Sequence, residues 1–334
     1  MQAQNWLKIM DECSGVVKFD ILMSTYNGED FITSQLDSLL SQKDYINMIY
    51  IRDDGSTDRT IQIIKEYAKN WTKLIFLIED DEGNLGPGKS FYSLCERSSS
   101  PFVAFCDQDD IWDSSKLSTF SEFIIKNKID GKSKSALIHC DLKVVDNNLT
   151  EMYPSFWNIM NINIPDTLVN ILIRNTVTGC ACVVSHKLIN KYKTKGVAFK
   201  LHDHFFASCS ALENAIHRIN QPLVNYRQHN NNCVGIGRRK KSLLQRMRFF
   251  SLYRTFNGHF GYDWELLAGR IRELQRFPMS DMQENQLEMM LKICQSHPIK
   301  RIFLMCNNQL STIGVSKDNL KYLFCRPFNF GKGQ

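Results

Sequence analysis

Short apolar runs that stop at clusters of polar residues set the limits on how this chain can fold. Phe19-Asp20-Ile21-Leu22-Met23 reads as a buried strand and ends at Ser24-Thr25-Tyr26-Asn27-Gly28. Met48 to Ile51 reads as a second strand and ends in Asp53-Asp54-Gly55-Ser56. Lys73 to Ile78 is a third, and Phe102 to Cys106 a fourth that runs straight into Asp107-Gln108-Asp109-Asp110. Between the first two, Ile32, Leu36, Leu39 and Leu40 recur at i, i+4, i+7 and i+8, one face of a helix. Ser56 is a good N-cap for the next helix, with Asp58 in its first turn favouring the positive helix end. Strand and helix alternating in this order predict an α/β fold, a mostly parallel sheet with helices on both faces. Ligands of such sheets bind beyond the carboxyl ends of the strands. Three of these four strand ends carry side chains able to contact one.

After Asp130-Gly131-Lys132-Ser133 the pattern continues with strands at Ala136–Cys140 and Cys180–Val184 and a helix-like run following His202-Asp203-His204. Beyond Gly235 the character changes. Residues 238–254 hold Arg238, Arg239, Lys240, Lys241, Arg246, Arg248 and Arg254 and no acid, interleaved with Leu243, Leu244, Met247, Phe249, Phe250, Leu252 and Tyr253. The remainder reads helical. Across 334 residues, 43% hydrophobic and 23% charged content is ordinary for a globular chain and argues against disorder. Eleven scattered cysteines without a CxxC suit a reducing cytoplasm better than a disulfide scaffold. Neither a signal peptide nor an 18-residue apolar stretch is apparent, so the expected protein is soluble or lies on a membrane without crossing it.

The acidic run carries the most chemistry. Three carboxylates at a strand end repel one another unless a cation or donors offset them. Hard oxygen ligands of this kind suit Mg²⁺ or Mn²⁺, which keep several waters and take substrate phosphates as further ligands. The bland alternative is an acidic turn capping a helix from Trp112 onward, although a cap needs one carboxylate rather than three. Asp53-Asp54-Gly55-Ser56 alone is ordinary turn chemistry; beside the acidic run it reads as a binding loop. Gly83-Asn84-Leu85-Gly86-Pro87-Gly88-Lys89-Ser90 matches the phosphate-binding P-loop letter for letter, which offers a nucleotide hydrolase as a rival. Against that stand the preceding Glu79, Asp80, Asp81 and Glu82, which would repel a triphosphate, and Pro87, which removes an amide from the loop. His202 and His204 are ordinary candidates for structural histidines. Asp203 between them is either a helix cap or a general base towards an acceptor hydroxyl.

Taken together, these residues resemble glycosyltransferase family 2, inverting enzymes with the GT-A fold. The pieces that match are Ser24–Gly28, Asp53–Asp58, Asn84-Leu85-Gly86, Asp107–Trp112, the Asn175–Cys182 stretch, His202-Asp203 and Tyr226-Arg227-Gln228-His229. They occur in family order over residues 19–235, and Asp-Gln-Asp-Asp-Ile-Trp with the later Arg-Gln-His-Asn looks like the rhamnosyltransferase-like branch. One departure is Asn230, where relatives often have glycine. The resemblance implies a Rossmann-like catalytic domain at 19–235, preceded by a tail at 1–18 and followed by a basic helical region at 236–334. It implies a donor nucleotide held by Ser24, Tyr26, Asn27, Asp53, Asp54, Asn84, Gly86, Lys89, Asp107 and Gln108. Asp109 and His229 would be the metal ligands, with Asp107 a further one, and Asp203 the base. Asp110, Trp112, Asp141, Gly179, Cys180 and His202 would face the sugar or acceptor.

The implied reaction moves a sugar from dTDP-rhamnose or a UDP-hexose to a saccharide acceptor linked to polyprenyl diphosphate, as in O-antigen or capsule synthesis. A lipid-linked acceptor makes segment 238–254 an anionic-membrane surface and places the protein peripherally at the inner face of the cytoplasmic membrane, with no nucleic acid as partner. The rival from another class is a non-catalytic basic module that binds RNA or lipid.

Overall fold

The computed structural model describes residues 15–193, 199–229, 263–297, 300–301, 304 and 314–316. They form two units. The first gathers the described residues up to Ile162, those from Val177 to Lys193, and Phe199–Arg227.

Its nine-stranded sheet begins with β1 (Phe19–Thr25), β2 (Ile46–Asp53), β3 (Ile75–Ile78) and β4 (Phe102–Asp107). These run parallel in the order β3-β2-β1-β4, linked by helices α1 (Ile32–Leu40), α2 (Thr60–Asn70) and α3 (Pro87–Cys95). β1 and β4 are buried almost throughout, which is why they read as unbroken apolar runs rather than alternating ones. Asp20, buried within β1, is held by Ser98 Oγ at 2.7 Å and Asn47 Nδ2 at 2.8 Å.

The sheet then changes direction. After the two-residue β5 (Ile111–Trp112) and α4 (Lys116–Lys126) come β6 (Leu137–Val145), β7 (Glu151–Tyr153), α5 (Phe156–Met160), β8 (Cys182–Ser185), α6 (His186–Lys191), α7 (His202–Leu212) and β9 (Ile216–Arg227). β8 lies antiparallel between β4 and β6, β9 is parallel to β6, and β5 pairs antiparallel with β9. The chief core packs Phe19, Ile21, Met23, Leu36, Leu39, Ile49, Ile51, Phe102 and Ala104 against Phe120, Ile124 and Ile138.

Local expectations need three corrections. α2 starts at Thr60, and its start takes nothing from Ser56, whose hydroxyl donates to Asp53 Oδ1 at 2.6 Å and accepts Asn27 N–H at 2.8 Å; Asp58 Oδ1 receives Thr60 N–H instead. No helix starts at Trp112, because β9 captures Ile111-Trp112 as β5. β6 runs past Cys140 to Val145 because β9 pairs alongside it through two register shifts.

The second unit comprises Asn163–Thr176 and the described residues from Gln228 onward. It contains α8 (Leu168–Ile173), α9 (Trp264–Leu274) and α10 (Asp281–Gln295). A capping box between Ser280 and Gln283 opens α10, and the Arg301 guanidinium lies 4.6 Å from the Trp264 ring. Segment 238–254 lies outside the described residues. No helix among the described residues is long and apolar enough to cross a membrane, and the seven described cysteines are buried free thiols.

Candidate active site

Parallel pairing sets the strand ends side by side: Thr25 is opposite Asp53, and Ser24 is opposite Asp107. The polar clusters at the ends of β1, β2 and β4 therefore share one edge of the sheet. Asp53 is filled by donors from its own turn and from β1: Thr25 Oγ1 at 2.8 Å, Ser56 Oγ at 2.6 Å, and the amides of Gly55 and Ser56 at 3.1 and 2.7 Å. Asn27, at φ 46°, accepts Thr57 N–H on its side-chain oxygen at 2.8 Å. Ser24 Oγ donates to Ser90 Oγ at 2.7 Å, while Tyr26 stands 49% exposed above them.

Asp54 is buried, and its partners explain the loop from Gly83 to Ser90. Oδ1 accepts from Arg52 Nη1 at 2.6 Å and Leu85 N–H at 2.7 Å; Oδ2 accepts from Gly86 N–H at 2.8 Å. Gly86 has φ 74°, a torsion that favours glycine, and Asn84 Oδ1 also accepts its amide at 3.2 Å. Lys89 is exposed on the first turn of α3. Two of the loop's amides, those of Leu85 and Gly86, are thus directed to a carboxylate of the same chain and Pro87 has none, which counts against the nucleotide-hydrolase reading. Arg52, also buried, forks onto Asp80 through Nε and Nη2 at 2.8 and 3.0 Å and reaches the Gly83 carbonyl at 2.8 Å. Burial pulls the Arg52 pKa down, but hydrogen bonds to Asp80 and Asp54 outweigh it and leave it raised. The same contact holds Asp80 below the usual carboxylate range.

The acidic loop is braced from several sides. Arg227, at the end of β9, donates its amide to Asp110 Oδ1 at 3.1 Å and its Nε to the Asp109 carbonyl at 2.9 Å. Its Nη1 reaches the Asn147 carbonyl at 3.0 Å and its Nη2 reaches Ser34 Oγ at 3.3 Å. Behind the loop, the fully buried Lys116 donates to the Cys180 carbonyl at 2.5 Å and places its ammonium 3.1 Å from the centre of the Trp112 ring. Burial pushes the Asp107 pKa up to about 7, reinforced by the charges of Asp109 and Asp203 and opposed by Lys116. Asp110 is raised for the same first reason, with Asp109 and Asp107 adding to it.

Asp107, Asp110 and Cys180 bring potential ligand atoms within 4.8 Å of one another, and Asp110 Oδ2 is buried without a hydrogen-bond partner. Crowded, costly carboxylates with an unused oxygen fit a divalent cation. The thiol is the soft member of that set.

Asp203, in the first turn of α7, is close enough to this loop for its charge to act on Asp107. Its neighbour His202 is buried between Phe91 and Phe105, with ring centroids at 4.0 and 4.4 Å. Neither imidazole nitrogen has a hydrogen-bond partner, and burial lowers its pKa to about 3. Gly179 allows this packing: a Cβ there would lie 3.0 Å from His202 Nε2 and 3.7 Å from Asp203 Cβ.

Comparison with known proteins accords with this geometry. The profile of glycosyl transferase family 2 matches residues 20–192. The chain belongs to glycosyl transferase family 2. It is 32% identical over 225 residues to the dTDP-rhamnosyl transferase RfbG of Shigella flexneri, covering 64% of this chain and 73% of that one. It is 28% identical to the UDP-Glc:alpha-D-GlcNAc-diphosphoundecaprenol beta-1,3-glucosyltransferase WfgD of Escherichia coli, covering 52% of this chain and 62% of that one. The crystal structure of residues 1–349 of Staphylococcus aureus TarS in complex with UDP-GlcNAc superposes with a TM-score of 0.54 at 18% identity, covering 92% of this chain and 78% of that one. That likeness shows the shared GT-A fold.

Within this family-2 chain, several expected site residues have structural surroundings. Trp112 is buried under Lys116 and does not offer an open face to a sugar. Asp141 is also buried, with its oxygens filled by Ser155 Oγ at 2.5 Å and the amides of Leu142 and Trp157 at 2.7 and 3.0 Å. Gln108 faces the main chain of Tyr26. His229 belongs to the second unit, where it is half-buried. Arg52 and Lys116 were not singled out from sequence, and Arg227 entered only as a letter of the Tyr226–His229 piece. The contacts of Arg52 with Asp80, Lys116 with Cys180 and Arg227 with Asp110 span 28, 64 and 117 residues, which no local signal encodes.

Proposed function

We propose that this glycosyltransferase moves the sugar of dTDP-rhamnose or a UDP-hexose, with inversion, to a saccharide acceptor carried on polyprenyl diphosphate in surface-polysaccharide synthesis. The observation that carries the reading is the convergence of the β1, β2 and β4 ends with Asp203. The likeness to RfbG, a dTDP-rhamnosyl transferase, supports dTDP-rhamnose, and the likeness to WfgD, which acts on alpha-D-GlcNAc-diphosphoundecaprenol, supports a diphosphoundecaprenol-linked sugar.

Ser24, Tyr26, Asn27 and the Asn84–Gly86 loop form the nucleoside end of the site, with Asp53 and Asp54 shaping it and Lys89 beside the diphosphate. Asp107 and Asp109 hold Mg²⁺ or Mn²⁺, and Asp110 and Cys180 line the same loop from beneath. A bound divalent cation offsets the negative charge that gathers on the leaving diphosphate. Gly179 and His202 shape the wall next to Asp203. The Asp203 carboxylate accepts the proton of the acceptor hydroxyl as that oxygen bonds to sugar C1 and the C1–diphosphate bond breaks, on the opposite face, through a state with oxocarbenium character. The protein works peripherally at the inner face of the cytoplasmic membrane, with segment 238–254 on anionic lipid and no nucleic acid as partner.

Asp203→Asn tests the assignment. Transfer should fall by about 10²–10⁴, whereas UDP or dTDP binding with Mn²⁺ should be kept. Loss of both would remove Asp203 from the role of base. A thermal-shift panel of nucleotide sugars with and without Mn²⁺ identifies the donor, because a ligand of the native state raises the midpoint.

A further inference from the structure

The β1–β4 ladder ends at Ser24 and Asp107, and the next residues are bonded in a different way. Tyr26 N–H donates to Gln108 Oε1 at 2.9 Å, and Gln108 Nε2 donates to the Tyr26 carbonyl at 2.9 Å. One side-chain amide thus makes the reciprocal pair that two opposed strand residues would exchange in an antiparallel ladder. Gly28 makes room for it. Its φ is not among the positive ones, yet a Cβ there would lie 2.3 Å from Gln108 Oε1 and 2.5 Å from Cδ, closer than such atoms pack.

We propose that Gln108 is a positioning residue: it clasps the main chain of Tyr26 and so fixes the spacing between the nucleoside end of the donor site and the flanking carboxylates Asp107 and Asp109. This rests on the donor reading given above and alters one part of it, since both functions of the Gln108 amide are directed to Tyr26 rather than to a ligand. Chemistry narrows what can replace it. Glutamate has no donor for the Tyr26 carbonyl, and asparagine is one methylene shorter. Tyr26 is half exposed, and the amides of Asn27, Gly28 and Glu29 after it are held by Ser56, Thr60 and Asp58, so the clasp acts on the main chain of Tyr26 itself, between the sheet and that loop.

The test uses the full-length protein, Gln108→Ala, Gly28→Ala and the double variant, with amide exchange at Tyr26 and calorimetric binding of UDP and of dTDP, each with Mn²⁺. Without nucleotide, Tyr26 exchange should quicken by about tenfold to thirtyfold in either single variant, with the unfolding midpoint nearly unchanged. Binding of the nucleoside diphosphate that the wild type takes up should weaken by a similar factor. The two losses should not add in the double variant, because Gly28→Ala acts by pushing the same amide aside. Gln108→Glu should not restore either readout.

Unchanged Tyr26 exchange in Gln108→Ala would overturn the clasp, and would do so even if binding weakened, since that pairing of results describes a ligand contact. Faster exchange with unaltered binding would overturn the positioning role. If the wild type bound neither UDP nor dTDP, the donor reading would fail, while Tyr26 exchange would still decide whether the clasp exists.

Discussion

Replacing His202 with methionine should flatten the acid side of the stability profile. In the unfolded chain this imidazole titrates near 6.5; in the fold, burial between Phe91 and Phe105 lowers it to about 3. Between those values the unfolded state binds a proton that the native state refuses, so stability is complete above pH 6.5 and declines as pH falls towards 3. Each unit is worth about 1.4 kcal/mol. At pH 5, some 1.5 units below the unfolded value, the wild type has lost about 2 kcal/mol from this one group. Methionine has comparable bulk, adapts its shape and carries no proton, and it removes two buried nitrogens that lack partners. Urea unfolding of both proteins at pH 7.5 and pH 5 reads the effect as a difference of differences, in which the other titrating groups cancel. Wild type should lose about 2 kcal/mol more than the variant over that interval. Parallel losses would refute the claim that His202 is buried neutral, and a larger loss in the variant would reverse its sign.

Two further outcomes follow from the charged groups. Arg52→Met should cost about 3–5 kcal/mol in urea unfolding, because it leaves Asp54 and Asp80 without their shared cation; Arg52→Lys should fall between, keeping the charge and losing the fork. Asp107 must shed its proton to ligate a cation, and its raised pKa of about 7 sets the sign: apparent Mn²⁺ affinity should rise by about tenfold per unit up to pH 7 and level above it. Calorimetry at pH 6, 7 and 8 reads this, and a flat profile would remove Asp107 from the metal site.

Much of the architecture was legible because strand burial and motif position coincide. Continuous apolar runs marked β1 and β4 as central strands, and the polar residues following them lay at the sheet edge that parallel pairing dictates. Less visible were the residues that make the edge rigid. Arg227 reaches Asp110 across 117 residues and Arg52 reaches Asp80 across 28; no local spacing encodes either contact. The same limit misassigned Ser56: as a lone serine before a helix it looks like a cap, yet its hydroxyl is already bonded to Asp53 and Asn27. Trp112 and Asp141 were placed near the sugar by resemblance, which does not reveal depth: Lys116 covers the Trp112 ring and Ser155 fills an oxygen of Asp141.

The pairing of Asp54 with the Leu85 and Gly86 amides carries a wider consequence. A loop with every letter of a phosphate-binding signature holds a resident anion contributed by a neighbouring strand. The chain thus contains an intramolecular counterpart of the ligand its motif advertises, one carboxylate bonded to two amides of the loop. For sequences of this kind, the informative letter lies outside the motif: an aspartate at the end of the adjacent strand ties the loop to the sheet and so shapes the site beside it.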